Sequence, residues 1–583
     1  MEQKITISNA ALARIFRSMA DIYFFIGPDE RFRALAYQKA ARTIAGLPEN
    51  ITHYVKNGHF EHFSGIGESI EEKIIEYINT GTIHKYEELK ETVPHELLDL
   101  MDVKGMGPQT LKLLFTQLGL KTKDEMVEAL NNGTVSSLKG FGQKKIDNIK
   151  RALKLFEKEG GRMLLWDALE IGNYYLKELK GLRGVNKIEL AGSLRRRKDT
   201  IGDIDILIAA KEKRWAKIID HFTRMKGIKQ VLVKGPTKAS VLIENGNRQI
   251  DIRIVHPDEW GAALLYFTGS KEHCVHLRTI AKSRGLKINE YGVYNVDNNK
   301  RIAGNTEEDV YKTLGFDWIP PEMREEKGEL ELAKKGKIPR LITPEDIKGD
   351  MQMHTNMSDG MATLEETARY VKKNFNYEYI VITDHTASLR IAGGMNEEGF
   401  LRQIEAIKEL NKKLGKDFVK AGVEVDIKAD GSLDLSDDVL ARFDWVTASI
   451  HLSPTKDITE RLIKACQNKY VNCIGHPTGR IIGQREEYPV NWEDVFKTAA
   501  KTGTALEINA QPNRLDLNGE LAYTATKLGA KLVISTDSHS LKNFDFMPLG
   551  VYMARRAWCT KENILNTRGW AEIQEFVNQK RGL

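Results

Sequence analysis

The sequence predicts a multidomain chain with a helical first third, a mixed α+β centre and a parallel α/β unit at the C-terminus. Three observations carry that expectation. At 583 residues the chain is too long for one core, and about 150 residues per domain predicts three or four domains. Apolar spacing is helical until about Val185, where short β-branched runs replace it. From Gly349 onward, strand and helix patterns alternate in seven units, as in a parallel barrel or a doubly wound sheet.

Composition narrows the classes further. Hydrophobic residues make up 41% and charged residues 29%, which excludes a disordered or collagen-like chain. No apolar run approaches the roughly 18 residues of a membrane helix. Met1–Phe25 carries Glu2, Lys4 and Arg14 in an amphipathic pattern, unlike a secretory leader. Cys274, Cys466, Cys473 and Cys559 form no CxxC pair, which predicts a reducing cytoplasm. A net charge of +6 fits an ordinary cytosolic enzyme as well as a nucleic-acid binder, so the location of the charge matters more than its sum.

In the first third, the stripe Ile70, Ile74, Ile75 and Ile78 with the stop at Gly81 predicts a helix over 70–81. A short signature recurs three times, at Gly65-Ile66-Gly67, Gly105-Met106-Gly107 and Gly140-Phe141-Gly142. Glycines permit the tight turn, and a helix N-terminus behind it presents free amides to a phosphate without reading bases. These repeats resemble helix-hairpin-helix DNA-binding motifs; a helical bundle with plain glycine turns is the simpler alternative.

The central strings "KIELAGS", "IDILIAA", "VLVKG", "ASVLIE" and "RQIDIRIV" predict a mixed sheet. Asp203 and Asp205 lie two apart on a strand and face one side. Asp251 sits mid-strand, where an unpaired charge would be costly. Three carboxylates converging on a sheet surface need divalent cations between them, the arrangement of two-metal phosphoryl transfer. Gly192, Ser193 and Arg196 would then bind the triphosphate that leaves as pyrophosphate, with Arg195–Lys198 facing phosphate. An exposed edge strand is the alternative for Asp203 and Asp205.

The Gly-Ser turn followed by DxD resembles the nucleotidyltransferase superfamily, and "ALLYFTGSKEHCVHLRTIAKSRGLKINEYGVY" resembles family X DNA polymerases. That resemblance, over about 1–320, implies that Tyr266, Phe267 and Gly269 line the nucleotide sugar and that Arg278 reaches the template. It implies that Glu290 takes part in closure. It also implies a lyase-like N-terminal domain with Lys73 as Schiff-base candidate, near Tyr37 and Arg33. Cys274 stands where many relatives have a base-contacting asparagine. Residues 320–344, charged and bracketed by prolines, are expected to be a linker.

Nearly every strand of the last third ends in a candidate ligand: His354, Asp359, His385, Glu424, His451, His476, Asp537 and His539. Strand C-termini are where α/β enzymes place chemistry, and histidine with carboxylate suits Zn²⁺, Mn²⁺ or Fe²⁺. These strings resemble the polymerase and histidinol phosphatase (PHP) domain, which implies a distorted (β/α)7 barrel with up to three metals. Gln352 replaces the first histidine of the usual HxH, so one metal is expected to bind weakly or not at all. Arg514 is a candidate for the scissile phosphate.

Together these readings resemble bacterial and archaeal family X polymerases. They divide the chain into a lyase-like helical domain (1–85), a helix-hairpin-helix subdomain (86–155), a palm (156–256), a nucleotide-selecting thumb side (257–320), a linker (321–345) and a PHP domain (346–583). The resemblance implies gap-filling synthesis in DNA repair from dNTPs with Mg²⁺ or Mn²⁺ on gapped or primer-template DNA. It further implies a 3'-5' exonuclease and cleavage at abasic sites, in a monomer without membrane contact. A DNA-binding scaffold with decayed centres, a polymerase with an inactive PHP domain, and a C-terminal small-molecule phosphatase are the alternatives.

Overall fold

A computed structural model of the chain describes residues 9–45, 51–56, 66–94, 97, 100, 101, 103, 105–138, 140–158, 162–244, 248–389, 392–453 and 456–583. The N-terminal helices Asn9–Ile26 and Arg31–Ala45 pack on helices Glu68–Thr80, Pro108–Leu118, Lys123–Asn131 and Gln143–Lys158 around one core, with Phe16, Tyr37, Ile74 and Leu111 inside. The helix expected over 70–81 runs Glu68–Thr80, and Gly81 closes it in the left-handed conformation at φ 78°. Ile70 and Ile74 are buried as the stripe predicts, whereas Ile75 is exposed.

All five central strings enter one mixed sheet, in the order β2 (Val185–Leu190), β4 (Asp203–Ala210), β7 (Gln249–Val255), β6 (Lys238–Ile243), β5 (Ile228–Lys234). Only β4 and β7 run parallel within it, and their register sets Asp205 beside Asp251. The next unit combines helices Trp260–Thr268 and Lys271–Ser283 with a three-stranded antiparallel sheet over 286–303.

Residues 321–345 are not the extended linker that their charge suggests. The helix Glu329–Lys334 forms, and Met323, Leu330, Ala333 and Leu341 join the core of the preceding unit. The reason is pairing: the fully buried Arg324 meets the Glu307 carboxylate through both guanidinium nitrogens, at 2.6 and 3.1 Å. Glu329 takes His273 at 2.6 Å and two backbone amides.

The seven expected C-terminal strands form one parallel sheet in sequence order: β11 (Gly349–Asp350), β12 (Tyr379–Ile382), β13 (Val419–Asp426), β14 (Trp445–Ser449), β15 (Cys473–Ile474), β16 (Ala505–Asn509) and β17 (Leu532–Ser535). A parallel bridge from Met353 to Ser538 brings the last strand back to the first, giving a nearly closed barrel. Glu424 lies within β13, while the other expected ligands follow the ends of β11, β12, β14, β15 and β17, in loops at one rim. Among the described residues, no helix is long and apolar enough to cross a membrane.

Candidate active sites

The first centre is built on β4 and β7. Alternation buries Ile204, Ile206, Ile250 and Ile252 and turns Asp203, Asp205 and Asp251 to the other face. One carboxylate oxygen from each lies within 4.8 Å of the others. Burial, with Asp203 and Asp251 alongside, pushes the Asp205 carboxyl up to about 7. Gln249 donates to Asp251 at 3.0 Å and Lys238 stands 3.7 Å from it. Three carboxylates with so little compensating charge are a set that divalent cations would complete. Gly192 permits the close approach of the next turn: at φ +57° it lies where any Cβ would meet Asp205 Oδ2 at 2.2 Å.

The arginines differ from expectation. Arg195 turns inward and binds the Glu307 carboxylate through both terminal nitrogens at 2.8 and 2.9 Å. Arg197 lies over the Tyr552 ring at 4.5 Å. Arg196 donates from Nε to Glu325 at 3.1 Å and from Nη1 to the Thr268 carbonyl, which leaves Nη2 without a partner among the described residues. A run of three arginines is thus mostly structural, with one nitrogen of Arg196 left for an anion.

Phe267 lines a cleft of about 70 Å³ with Asp205, Asp251, Lys238 and Arg253, and Tyr266 stands edge-on to it at 5.1 Å. Gly269 follows at the end of that helix, with its backbone against Arg196. Arg278 folds onto its own helix, Nε to the Cys274 carbonyl at 3.3 Å. Cys274 is buried, its Sγ 3.8 Å from the Leu265 and Tyr266 carbonyls. Glu290 sits in the turn between the strands Leu286–Asn289 and Gly292–Asn295.

In the N-terminal third, Gly67, Gly107 and Gly142 each stand at a helix start with open space around them, while Gly105 and Gly140 adopt φ +88° and +90°. Met106 and Phe141 plug the core between the glycines and fix the turns. Gly65 lies outside the described residues. Lys73 donates to the Ser69 carbonyl at 2.8 Å and hydroxyl at 3.0 Å. No contact joins it to Arg33 or Tyr37 among the described residues. Arg33 pairs with Glu30, and Tyr37 stacks on Tyr23 within the core.

The second centre fills the barrel rim around Glu424. His354 Nε2 lies 3.4 Å and His385 Nδ1 3.2 Å from its Oε2; His476 Nε2 lies 3.1 Å and His451 Nε2 3.6 Å from its Oε1. Asp537 meets His354 at 3.0 Å, and Asp359 meets His385 at 3.7 Å and His539 at 3.4 Å. All eight expected ligands therefore converge. Both Glu424 oxygens and His354 Nδ1 are buried without a hydrogen bond, which is costly unless a cation completes them. Burial opposes the ionised form of Glu424, and His385, His451 and His476 overcome it, holding the carboxyl well below its ordinary range. Burial, then the neighbouring His354, lowers His385 to about 4, so the imidazole is neutral as a ligand must be. A thiolate-free set of imidazoles and carboxylates fits Zn²⁺, Mn²⁺ or Fe²⁺. Gln352 is buried, its Nε2 unpartnered, with Oε1 toward Gly475.

Sequence reasoning missed the residues that orient these ligands. Asp426 accepts from His451 Nδ1 at 2.7 Å, and Asn509 donates to Asp537 at 3.0 Å. Asp384 takes the Thr355 amide and hydroxyl and fixes the loop after His354. For Asp426 the signal was a polar residue two positions from a ligand in an apolar strand, in "VEVD" after Glu424. Arg514 Nη1 is buried and unpartnered, and its charge acts on His451 and His476.

Residues 7–83 match the helix-hairpin-helix domain family, 97–155 the SAM-like helix-hairpin-helix tandem, and 263–325 the DNA polymerase beta thumb. A DNA polymerase/3'-5' exonuclease PolX of Bacillus subtilis (strain 168) is 36% identical, spanning 97% of this chain and 99% of its own. DNA polymerase lambda of Arabidopsis thaliana is 25% identical over 54% of this chain and 62% of its own. A probable phosphatase of Thermoanaerobacter sp. (strain X514) is 30% identical over 40% of this chain and 95% of its own. Palm and barrel together define a nucleotidyltransferase joined to a phosphoesterase of the PHP kind. The chain belongs to the PolX family, DNA polymerases of family X that are also 3'-5' exonucleases.

Proposed function

We propose that the protein fills short gaps in DNA during repair and trims 3' ends, with polymerisation at the palm carboxylates and hydrolysis at the barrel rim. The observation that carries this reading is the convergence of Asp203, Asp205 and Asp251 in a molecule whose second, separate cluster surrounds Glu424. Mg²⁺ or Mn²⁺ would sit on the three aspartates, and up to three Zn²⁺, Mn²⁺ or Fe²⁺ on His354, Asp359, His385, Glu424, His451, His476, Asp537 and His539. When bound, such ions supply Lewis acidity to phosphoryl oxygens and a nucleophilic water at neutral pH.

The chain's own groups do the rest. Asp251 is placed to take the proton of the primer 3'-hydroxyl. Gly192, Ser193 and Arg196 Nη2 hold the triphosphate, and Tyr266, Phe267 and Gly269 close on the sugar. Arg278 reaches the template after swinging from its helix. The turns at Gly67, Gly107 and Gly142 grip backbone phosphates on either side of a gap. Arg514 holds the scissile phosphate at the rim. Abasic-site cleavage at that rim is part of the same reading. Lys73, tied to Ser69 and without an activating partner among the described residues, serves phosphate contact better than a Schiff base. Four buried, unpaired cysteines fit a reducing cytoplasm, and gel filtration should give the mass of one chain.

Gapped DNA with a 5'-labelled primer tests this reading. With dNTPs the primer lengthens by the gap, and without them it shortens from its 3' end. The likeness of the barrel to a phosphatase over most of that protein's length favours one second reading, a small-molecule phosphoesterase. Turnover of histidinol phosphate without turnover of 3'-labelled DNA would establish that reading instead.

A further inference from the structure

The palm loop that joins the Gly192–Arg195 turn to β4 is held along its length by the PHP barrel. Arg556, at the end of the barrel helix Met547–Arg556, donates from Nη1 to the Arg196 carbonyl at 2.8 Å and to Glu325 Oε1 at 3.0 Å. The same Glu325 oxygen accepts from Arg196 Nε, and Lys198 lies 3.9 Å from its other oxygen. Tyr552, one turn earlier on that helix, underlies Arg197. Arg480 of the barrel pairs with Asp199 at 2.8 Å. Arg196, Arg197 and Asp199 lie between the Gly-Ser turn and Asp203, yet the Arg196 carbonyl, the Arg197 guanidinium and the Asp199 carboxylate each meet a side chain of a domain with its own chemistry.

We propose that Arg556 is a positioning residue of the polymerase site. It acts through Glu325, which it shares with Arg196, and so sets the orientation and free charge of the guanidinium that meets the incoming triphosphate. With Arg556 present, Glu325 is divided among three cations, and Arg196 is held by its carbonyl, Nε and Nη1 with Nη2 free. Without Arg556 the Glu325 carboxylate is left to Arg196 and Lys198 and competes with the triphosphate for the same guanidinium. The PHP barrel is therefore a structural part of nucleotide binding, independent of its own hydrolysis. This inference rests on the assignment of Arg196 to the triphosphate given above.

Single-nucleotide insertion on gapped DNA tests it in the full-length protein with Arg556→Ala, Arg556→Lys, Glu325→Gln and the Arg556→Ala/Glu325→Gln double variant. For Arg556→Ala, KM for dNTP should rise about tenfold, the scale of one charge-assisted hydrogen bond, with kcat within about twofold. Exonuclease rate and Tm should match wild type. Arg556→Lys should restore most of the KM, and Arg556→Ala should have no added effect in the Glu325→Gln background. An unchanged KM, additive effects, or a joint fall of kcat, exonuclease rate and Tm would overturn the proposal. If wild-type protein inserts no nucleotide at all, the assignment of the polymerase site fails instead.

Discussion

Glu424 shows how one side chain organises a site. It offers two buried oxygens to four imidazoles, and the imidazoles come from loops after four different strands. Glu424→Gln should abolish 3'-5' degradation in a gel assay while primer extension stays at the wild-type rate. Asp426 accepts from His451 Nδ1 and from Ser388 Oγ and so orients the imidazole, and Asp426→Asn should lower the same degradation about 10–100-fold and weaken metal binding measured by titration. Legibility at this scale divides by distance along the chain. Asp203, Asp205 and the rim ligands could be read because a strand's two-residue period and its end are local features. Arg195 was misjudged because its partner, Glu307, lies 112 residues away, beyond any local pattern.

At the scale of elements, hydropathy misled in one place for a physical reason. The segment 321–345 buries Glu322, Arg324 and Glu329 in pairs with Arg555, Glu307 and His273, where pattern reading places them in water, while Glu326, Glu331, Lys334, Lys335, Lys337 and Arg340 stay at the surface. Glu307 is the centre of that arrangement: Arg324 and Arg195 overcome its burial and hold its carboxyl far below the ordinary range. Glu307→Gln strands two guanidinium groups and should cost about 3–5 kcal/mol in chemical denaturation at pH 7. Because the folded carboxyl titrates below its unfolded value near 4.3 (approximately), its contribution is complete above that pH. It drains away as pH falls toward the folded value, so the gap between wild type and Glu307→Gln should narrow below about pH 4. The hairpin turns give a second contrast. Gly105 needs φ +88°, and a Cβ there meets Ile149 at 3.0 Å; Gly107 has an ordinary φ and open space. Gly105→Ala should cost about 1–2 kcal/mol in urea. Gly107→Ala should cost less than about 0.5 kcal/mol yet, on the proposed phosphate contact at this turn, weaken binding to gapped DNA in a fluorescence titration.

For the whole molecule, two carboxylate-rich centres share one chain and one interface. Palm and barrel contribute to a common apolar cluster, and Arg480, Arg555 and Arg556 cross between the barrel and the segments it faces. The modest net charge of +6 conceals this arrangement: acidic side chains gather at two centres, while many arginines near them are spent on internal pairing. On the proposed assignment, synthesis belongs to the palm triad and degradation to the barrel. One measurement tests it most directly, with wild type, Asp205→Asn and Glu424→Gln each given gapped, 5'-labelled DNA and Mn²⁺, with and without dNTPs. Asp205→Asn should shorten the primer and never extend it, and Glu424→Gln should extend it and never shorten it. Loss of both activities in either variant, or survival of extension in Asp205→Asn, would contradict the account.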